Sequence, residues 1–515
     1  MTEIMEKKSR RGGGRAARVA ARAAALPEEM RPIRAGMEGG TLKVLTDAQV
    51  GQIHEAALQA LETIGLVDAP QSGIDLMVSV GAIYSSEDGR VRFPRQVVED
   101  ALGKAARAIT LKGRDPAHDL ELWGTKVHYG TAGAAVHIVE PETNSYRECT
   151  AQDLHDAARI TQALDNVNFF QRPMVCRDVA DNLEMDLNSI YASVAGTTKH
   201  IGMSFSDPSH VAPCMELIHQ LAGGEEAWRA RPFMSNTNCF VVPPMKFATE
   251  SCETMELCIR AGMPILLLSA GMAGATAPST IAGAVTQATA ECLAGLVYVN
   301  ALAPGHPAVF GTWPFGLDLR TGAMCLGSGE QALLSSACAQ MHQFYGLPGG
   351  AAGGASDSKM PDMQAGWEQM CSNVMAGLSG LNMVYEAAGM HASLLGFCLE
   401  SLILSDDLIG QAMRCVRGIE VNEDTLALDQ MAEVCLGGNG HYLGTDKTLA
   451  LMQTDFVYPT FGNRMSPKEW EENEKPDLVA NARARKEKIL SQPAGLVAPD
   501  LDLAVREKYA MYFRN

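Results

Sequence analysis

The stretch LPGGAAGGASDSKMPDMQ, Leu347–Gln364, sets a run of glycine and alanine against Ser356, Asp357, Ser358 and Lys359. Small residues beside hydroxyls and a lysine are the ingredients of a phosphate cradle, in which backbone N–H groups hold the anion and the lysine reaches it. Gly349 and Gly354 have the spacing, but Ala355-Ser356 stands where Lys-Ser/Thr is needed. A phosphate site is therefore not predicted. GSGEQA at 327–332 fits GxGxxA before a helix. No strand-like run precedes it and no acid follows about twenty residues on, so a dinucleotide site fails too. No His/Cys cluster has zinc spacing, and no metal site is predicted. Glu386 is different: it is an acid within the apolar run MVYEAAGM. A buried acid needs a partner. It could face a cationic nitrogen or pair with an arginine.

The elements that must position these groups are legible in outline. Thr46 and Gln49 form a capping box for a helix over 46–64, with Val50, Ile53, Ala57, Leu61 and Ile64 on one face and Gly65 at its end. Short strand-like pieces, RVRFP and AITLKG, follow around a helix near 95–107. Then the rhythm changes. Eight short apolar or small-residue runs, from KVHYGTAG through HPAVFGTWP and YGLPGGAAGG to LNMVYEAAG, alternate with helix-patterned stretches. Such alternation implies parallel strands joined by crossovers. Eight units in this span suit a closed barrel better than an open sheet. The predicted fold is a (β/α)8 TIM barrel over 126–400. A basic arm (1–38) and an N-terminal α/β cap (39–125) precede it, and a C-terminal helical extension (401–515) follows. Reacting groups of such barrels sit where strands end. The stretch 347–364 becomes the seventh strand and its loop. Gly350 there either hollows the mouth for a ligand or thins the strand for packing.

The chain has 515 residues, 47% apolar and 20% charged, which is ordinary for a large globular enzyme. A net charge of −18 argues against a nucleic-acid surface and is compatible with cationic ligands. Thirteen scattered cysteines without a CxxC pair read as reduced thiols in a cytoplasmic protein. No apolar run suggests a membrane span. The first 34 residues, with KKSRRGGGRAARVAARAA, are basic and aromatic-free. They are expected either to settle on an acidic neighbouring subunit or partner, or to form a solvated tail, and a homo-oligomer is expected.

The arm, DLRTGAM at 318–324, GGASDSKMPDMQAGWE at 353–368, MVYEAAGM at 383–390, VRGIEVNEDTLALD at 416–429 and GHYLGTDKTL at 440–449 together resemble the trimethylamine methyltransferase family of corrinoid-dependent enzymes. The likeness covers the chain after the arm. It implies a (β/α)8 barrel that passes a methyl group from a methylated amine to Co(I) of a separate corrinoid protein, with no cofactor tightly bound to the chain itself. The family's trimethylamine enzymes carry pyrrolysine inside the barrel, at a position falling in or near Gly349–Ala355. Only glycine and alanine occur there. The resemblance is thus to the branch without pyrrolysine, which demethylates quaternary amines such as glycine betaine. A trimethylamine enzyme and a non-catalytic binder of quaternary amines are the alternatives.

A quaternary ammonium has no N–H and is held by aromatic faces and carboxylates. Aromatics are scarce, 6%, so those ending strands count: Tyr129, Phe205, Trp313 and Phe315. Each could instead pack the barrel. A betaine carboxylate favours a fork of donors, and Arg172 and Arg320 follow the second and sixth strands. Arg320 could instead tie its own loop to Asp318. Glu386 and His391 are the candidate catalytic groups. His391 could bond substrate or corrinoid, or be structural. Asp357 is either substrate-binding or ion-paired with Lys359 across the seventh loop.

Overall fold

The computed structural model describes residues 26–438 and 440–514. The first 25 residues of the expected basic arm lie outside this part. The chain divides into two compact units, Ala35–Arg417 with Pro459–Asn515, and Met1–Arg34 with Gly418–Tyr458. This division cuts across the expected 401–515 extension.

The larger unit is a mixed α/β fold. Its first hundred residues contain the helix Asp47–Thr63, with both bonds of the Thr46/Gln49 capping box and Val50, Ile53, Ala57, Leu58 and Leu61 buried. Ile64 departs from expectation and is 48% exposed. It follows the last helical turn, where Gly65 at φ +68° redirects the chain. A three-stranded antiparallel sheet of Leu66–Val67, Ile83–Ser85 and Arg90–Arg92 completes this region with the helix Arg95–Lys104.

Each of the eight predicted runs contains a parallel strand: β1 (Lys126–Tyr129), β2 (Phe170–Gln171), β3 (Ile201–Met203), β4 (Met234–Asn236), β5 (Ile265–Ser269), β6 (Ala308–Thr312), β7 (Gly350–Ala352) and β8 (Met383–Tyr385). After each comes a helix: α1 (Ala151–Gln162), α2 (Asn182–Gly196), α3 (Val211–Ala222), α4 (Thr249–Arg260), α5 (Ile281–Leu302), α6 (Gly329–Tyr345), α7 (Met363–Leu378) and α8 (Leu399–Arg417). Strands β2 to β6 form one parallel sheet in chain order, and β7, β8 and β1 lie in a second. Met37–Glu38 adds an antiparallel strand to β1. Single parallel bridges, Gly130 to Phe169 and Phe310 to Gly349, connect the two sheets at both edges.

Some elements were not foreseen. His137–Glu140 and Ser145–Glu148 make a hairpin between β1 and α1, extended by Met390–His391 and Gly396–Phe397 from the loop after β8. Leu317–Asp318 and Ala323–Met324 form a small hairpin after β6. Among its described residues the smaller unit holds the short α-helices Glu423–Leu426, Leu428–Leu436 and Asp446–Thr454. No described helix is long and apolar enough to cross a membrane.

Candidate functional site

Successive residues of a strand point to opposite faces, and the side-chain bonds show which face meets the helices. Tyr129 Oη donates to the Asn373 carbonyl of α7 at 2.9 Å, and Thr312 Oγ1 meets His342 Nε2 of α6 at 2.6 Å. Ser269 Oγ donates to Glu291 of α5. Residues one position away lie on the inner face. There Trp313 and Tyr385 pack with ring centroids 4.8 Å apart. Phe169 meets Tyr385 edge-on at 5.1 Å, and Phe315 meets Trp313 at 6.5 Å. All four rings are buried.

Two glycines create this arrangement. A Cβ at Gly130 would run into the Phe169 ring, and one at Gly350 would sit 2.5 Å from Tyr385 Cε2. Gly350 therefore makes room for an aromatic ring of the protein. The Trp313 indole Nε1–H is buried and has no acceptor among the described residues, although buried donors are nearly always paired.

Glu386 follows Tyr385 directly, at φ +60°. A non-glycine residue in the left-handed region costs about 1–2 kcal/mol and persists where surrounding packing imposes it. Its side chain is buried, and Oε2 has no hydrogen-bond partner among the described residues. Burial pushes its carboxyl up to about 8, so the group is mostly neutral at pH 7. His391 lies on the short strand after β8, with Nε2 sharing a 2.7 Å hydrogen bond with Ser401 Oγ. Burial holds the imidazole down at about 4. It is neutral in the physiological range.

Asp357 ties three loops together. Its carboxylate accepts from the Leu326 and Gly327 amides after β6, at 2.8 and 3.1 Å, and from Ser393 Oγ after β8, at 2.6 Å. Lys359 Nζ donates to the Asp357 main-chain carbonyl at 2.8 Å, so the expected ion pair between these side chains is not formed. Ser393 sits among Ala392, Ser393 and Leu394, three successive residues with positive φ.

The remaining predicted residues lie apart. Tyr129 is on the helix face, so it does not join the inner rings. Arg320 is bonded to Asp318 at 3.0 and 2.8 Å within the small hairpin, with its side chain 88% exposed. Phe205 is buried beyond β3, where Asn238 brackets its main chain. It makes no ring contact with the inner group among the described residues. Arg172 follows β2 and has no ion pair among the described residues. Burial lowers its guanidinium from the usual value, and Asp186 is the nearest opposing carboxylate in effect.

A family model, trimethylamine methyltransferase (MTTB), matches residues 11–515. The chain belongs to this family. It is 30% identical over 467 residues to a glycine betaine methyltransferase of Desulfitobacterium hafniense strain Y51, covering 90% of this chain and 95% of that one. It is 29% identical over 453 residues to a trimethylamine methyltransferase MttB of Methanosarcina thermophila, covering 87% and 93%. Among solved structures it is similar to the monomethylamine methyltransferase MtmB of Methanosarcina barkeri, with a TM-score of 0.46 at 12% identity over 86% of this chain and 92% of that one.

In this family member the inner group therefore consists of Trp313, Phe315, Tyr385 and Phe169, with Glu386 at the end of β8. Phe169 and Tyr385 were not singled out from sequence. Both lie within the eight runs, in VNFFQRPMV at 167–175 and in LNMVYEAAG, and Tyr385 adjoins the predicted Glu386. Together the rings offer π faces and an unpaired indole donor, and Glu386 offers a carboxyl whose charge depends on what it meets. Among the described residues no group of three or more His, Cys, Asp or Glu could hold a metal ion.

Proposed function

We propose that this chain transfers a methyl group from a quaternary amine of the glycine betaine type to Co(I) in the corrinoid of a partner protein. We read the eight strands and the two bridges joining their sheets as a closed (β/α)8 barrel, with the inner rings near its mouth. The observation that carries the proposal is the aromatic group of Trp313 and Tyr385 next to Glu386, a buried carboxyl whose Oε2 has no hydrogen-bond partner among the described residues. Rings and a latent carboxylate suit a cation that has no N–H to bond.

The β7 region supports a substrate that needs no activation. A side chain at Gly349 would collide with the His342 ring, one at Gly350 with Tyr385, and one at Gly353 would lie 2.8 Å from Val384 Cγ1. A bulky pyrrolysine has no space at these positions. A quaternary nitrogen leaves as a neutral tertiary amine, whereas a tertiary amine needs prior activation. The corrinoid, as methyl acceptor, supplies the nucleophile: the N–CH3 bond breaks with its electron pair going to nitrogen, and the methyl carbon joins cobalt.

The protein's own contribution is orientation and exclusion of water. The π faces of Trp313 and Tyr385 and an ionised Glu386 hold the ammonium. Trp313 Nε1–H and Arg172 are the donors for a substrate carboxylate. His391, neutral and anchored to Ser401, positions the loop after β8. Thirteen free cysteines fit a reducing cytoplasm.

The test incubates the protein with Co(I) cobalamin and glycine betaine, other betaines or trimethylamine, following methyl-cobalamin by absorbance. A betaine should be demethylated and trimethylamine should not. Turnover of trimethylamine equal to the best betaine overturns the substrate class, and binding without methyl transfer to any corrinoid acceptor overturns the reaction.

A further inference from the structure

Helices α7 and α8 line a cavity of about 420 Å³ that none of the inner rings reaches. Ala365 and Gln369 of α7, and Ser401, Leu404 and Leu408 of α8, stand at the three- and four-residue spacings of one helix face. Two such stripes normally close on each other. Here Pro459, Phe461 and the first turn of the helix Leu478–Leu490 complete the lining, and the space between stays open. Gly366 enlarges it, since a Cβ at this position would meet no neighbouring atom within 4 Å. The volume lies in the range of small-molecule sites. Roughly 150 Å³ accommodates a benzene, so an eight-carbon chain with a polar head is well within its size.

The walls are mainly apolar, and three charged groups narrow the occupant. Asp407 spends both oxygens on the amides of Thr460, Phe461 and Gly462, at 2.7, 2.6 and 3.1 Å. Asp362 accepts from Ser358 Oγ at 2.8 Å and caps α7 through the Ala365 amide at 2.9 Å. Both carboxylates therefore already serve the fold. Arg464 also lines the cavity, and its guanidinium has no ion pair or hydrogen bond among the described residues. The free charge is thus a cation with five donors, whose geometry matches a carboxylate. An apolar body with a cationic head would find only carboxylates already engaged.

We propose that this cavity binds a small apolar carboxylate, its hydrocarbon between α7 and α8 and its head on Arg464, and that occupancy steadies the loop after β8. Two of the lining side chains hold that loop. Gln369 Nε2 donates to the Met390 carbonyl at 3.4 Å, and Ser401 Oγ shares the 2.7 Å bond with His391 Nε2. An occupant packed against Gln369 and Ser401 restricts both, and with them the residues just beyond Glu386. The inference concerns the chain's own helices and loop, and stands whether or not the methyl-transfer reading holds.

Titration calorimetry of the full-length protein with sodium octanoate, octan-1-ol and octylammonium chloride tests it. Octanoate should saturate one site per chain. Octanol should bind about tenfold more weakly, for want of a charged hydrogen bond, and octylammonium more weakly still. Arg464→Gln should bring octanoate down to the level of octanol and leave octanol unchanged. Gly366→Leu should fill the cavity and abolish octanoate binding. Its unfolding midpoint should not fall, because leucine is the better helix former. Hydrogen exchange on the unmodified protein is independent of any variant: octanoate should raise protection in 388–393 and 460–464. The proposal is overturned if octanoate fails to bind at millimolar concentration, or if folded Gly366→Leu binds it like the parent. It is overturned equally if octanol or octylammonium binds as tightly as octanoate in a way that Gly366→Leu abolishes, or if saturating octanoate leaves exchange in 388–393 unchanged.

Discussion

If Glu386 meets the ammonium, substrate binding must release a proton. In the empty site burial raises its carboxyl from the usual 4.5 to about 8. At pH 7 about one molecule in ten then carries the carboxylate. A quaternary cation selects that charged form, so affinity should rise about tenfold per pH unit between pH 6 and 8, or about 1.4 kcal/mol per unit, and level off above. Titration calorimetry with glycine betaine, in two buffers of different ionisation enthalpy, counts the protons. Close to one should leave at pH 6 and about half of one at pH 8. Glu386→Gln keeps the shape and removes the charge, so the pH slope and the proton release should both vanish.

Stability gives a second readout of the same group. Its pKa is raised in the folded chain, so the unfolded chain ionises first. Stability is therefore lost as pH rises from about 4.5 to about 8, by up to about 1.4 kcal/mol per unit. Glu386→Gln should be more stable than the parent at pH 8, by a margin that shrinks towards pH 5. A variant with the parent's pH slope, or binding without proton release at pH 6, would refute the pairing of Glu386 with the cation.

Trp313→Leu keeps an apolar side chain but removes the π face. At about 2 kcal/mol for a desolvated cation–π contact, kcat/KM for the betaine should fall roughly 30-fold. A neutral analogue with carbon in place of nitrogen should bind parent and variant alike, and equal losses for both ligands would reduce Trp313 to packing. Asp357→Ala removes the acceptor that joins the loops after β6, β7 and β8. It should lower unfolding free energy by roughly 2–3 kcal/mol, read as a lower denaturant midpoint, and an unchanged midpoint would show that the clamp contributes nothing.

The eight strands were legible because parallel strands covered on both sides read as short apolar runs separated by helix-length segments. The same property hid which residues face inward. Where both faces are buried, apolar–polar alternation disappears, and nothing in KVHYGTAG or LNMVYEAAG tells a helix-facing tyrosine from an inward one. Tyr129 pairs in register with Val384, and Tyr385 lies one position further along β8. That single step separates a packing residue bonded to α7 from a ring packed at a tilt against Trp313.

Other contacts needed the folded chain for a different reason. Phe169 gains its place because Gly130, 39 positions earlier, has no Cβ to block its ring, and Tyr385 gains its place beside Gly350. A glycine read alone suggests empty space; its neighbour decides whether that space is filled by protein. This is why the glycine run that suggested an open mouth proves to accommodate His342, Tyr385 and Val384. Arg320 was decidable at short range, since its partner Asp318 is two residues away. Glu386 was singled out by type, an acid inside an apolar run, and its lack of a partner appears only once every neighbour is placed. The chemistry to be tested therefore rests on residues whose identity the chain displays openly and whose isolation is a property of the fold.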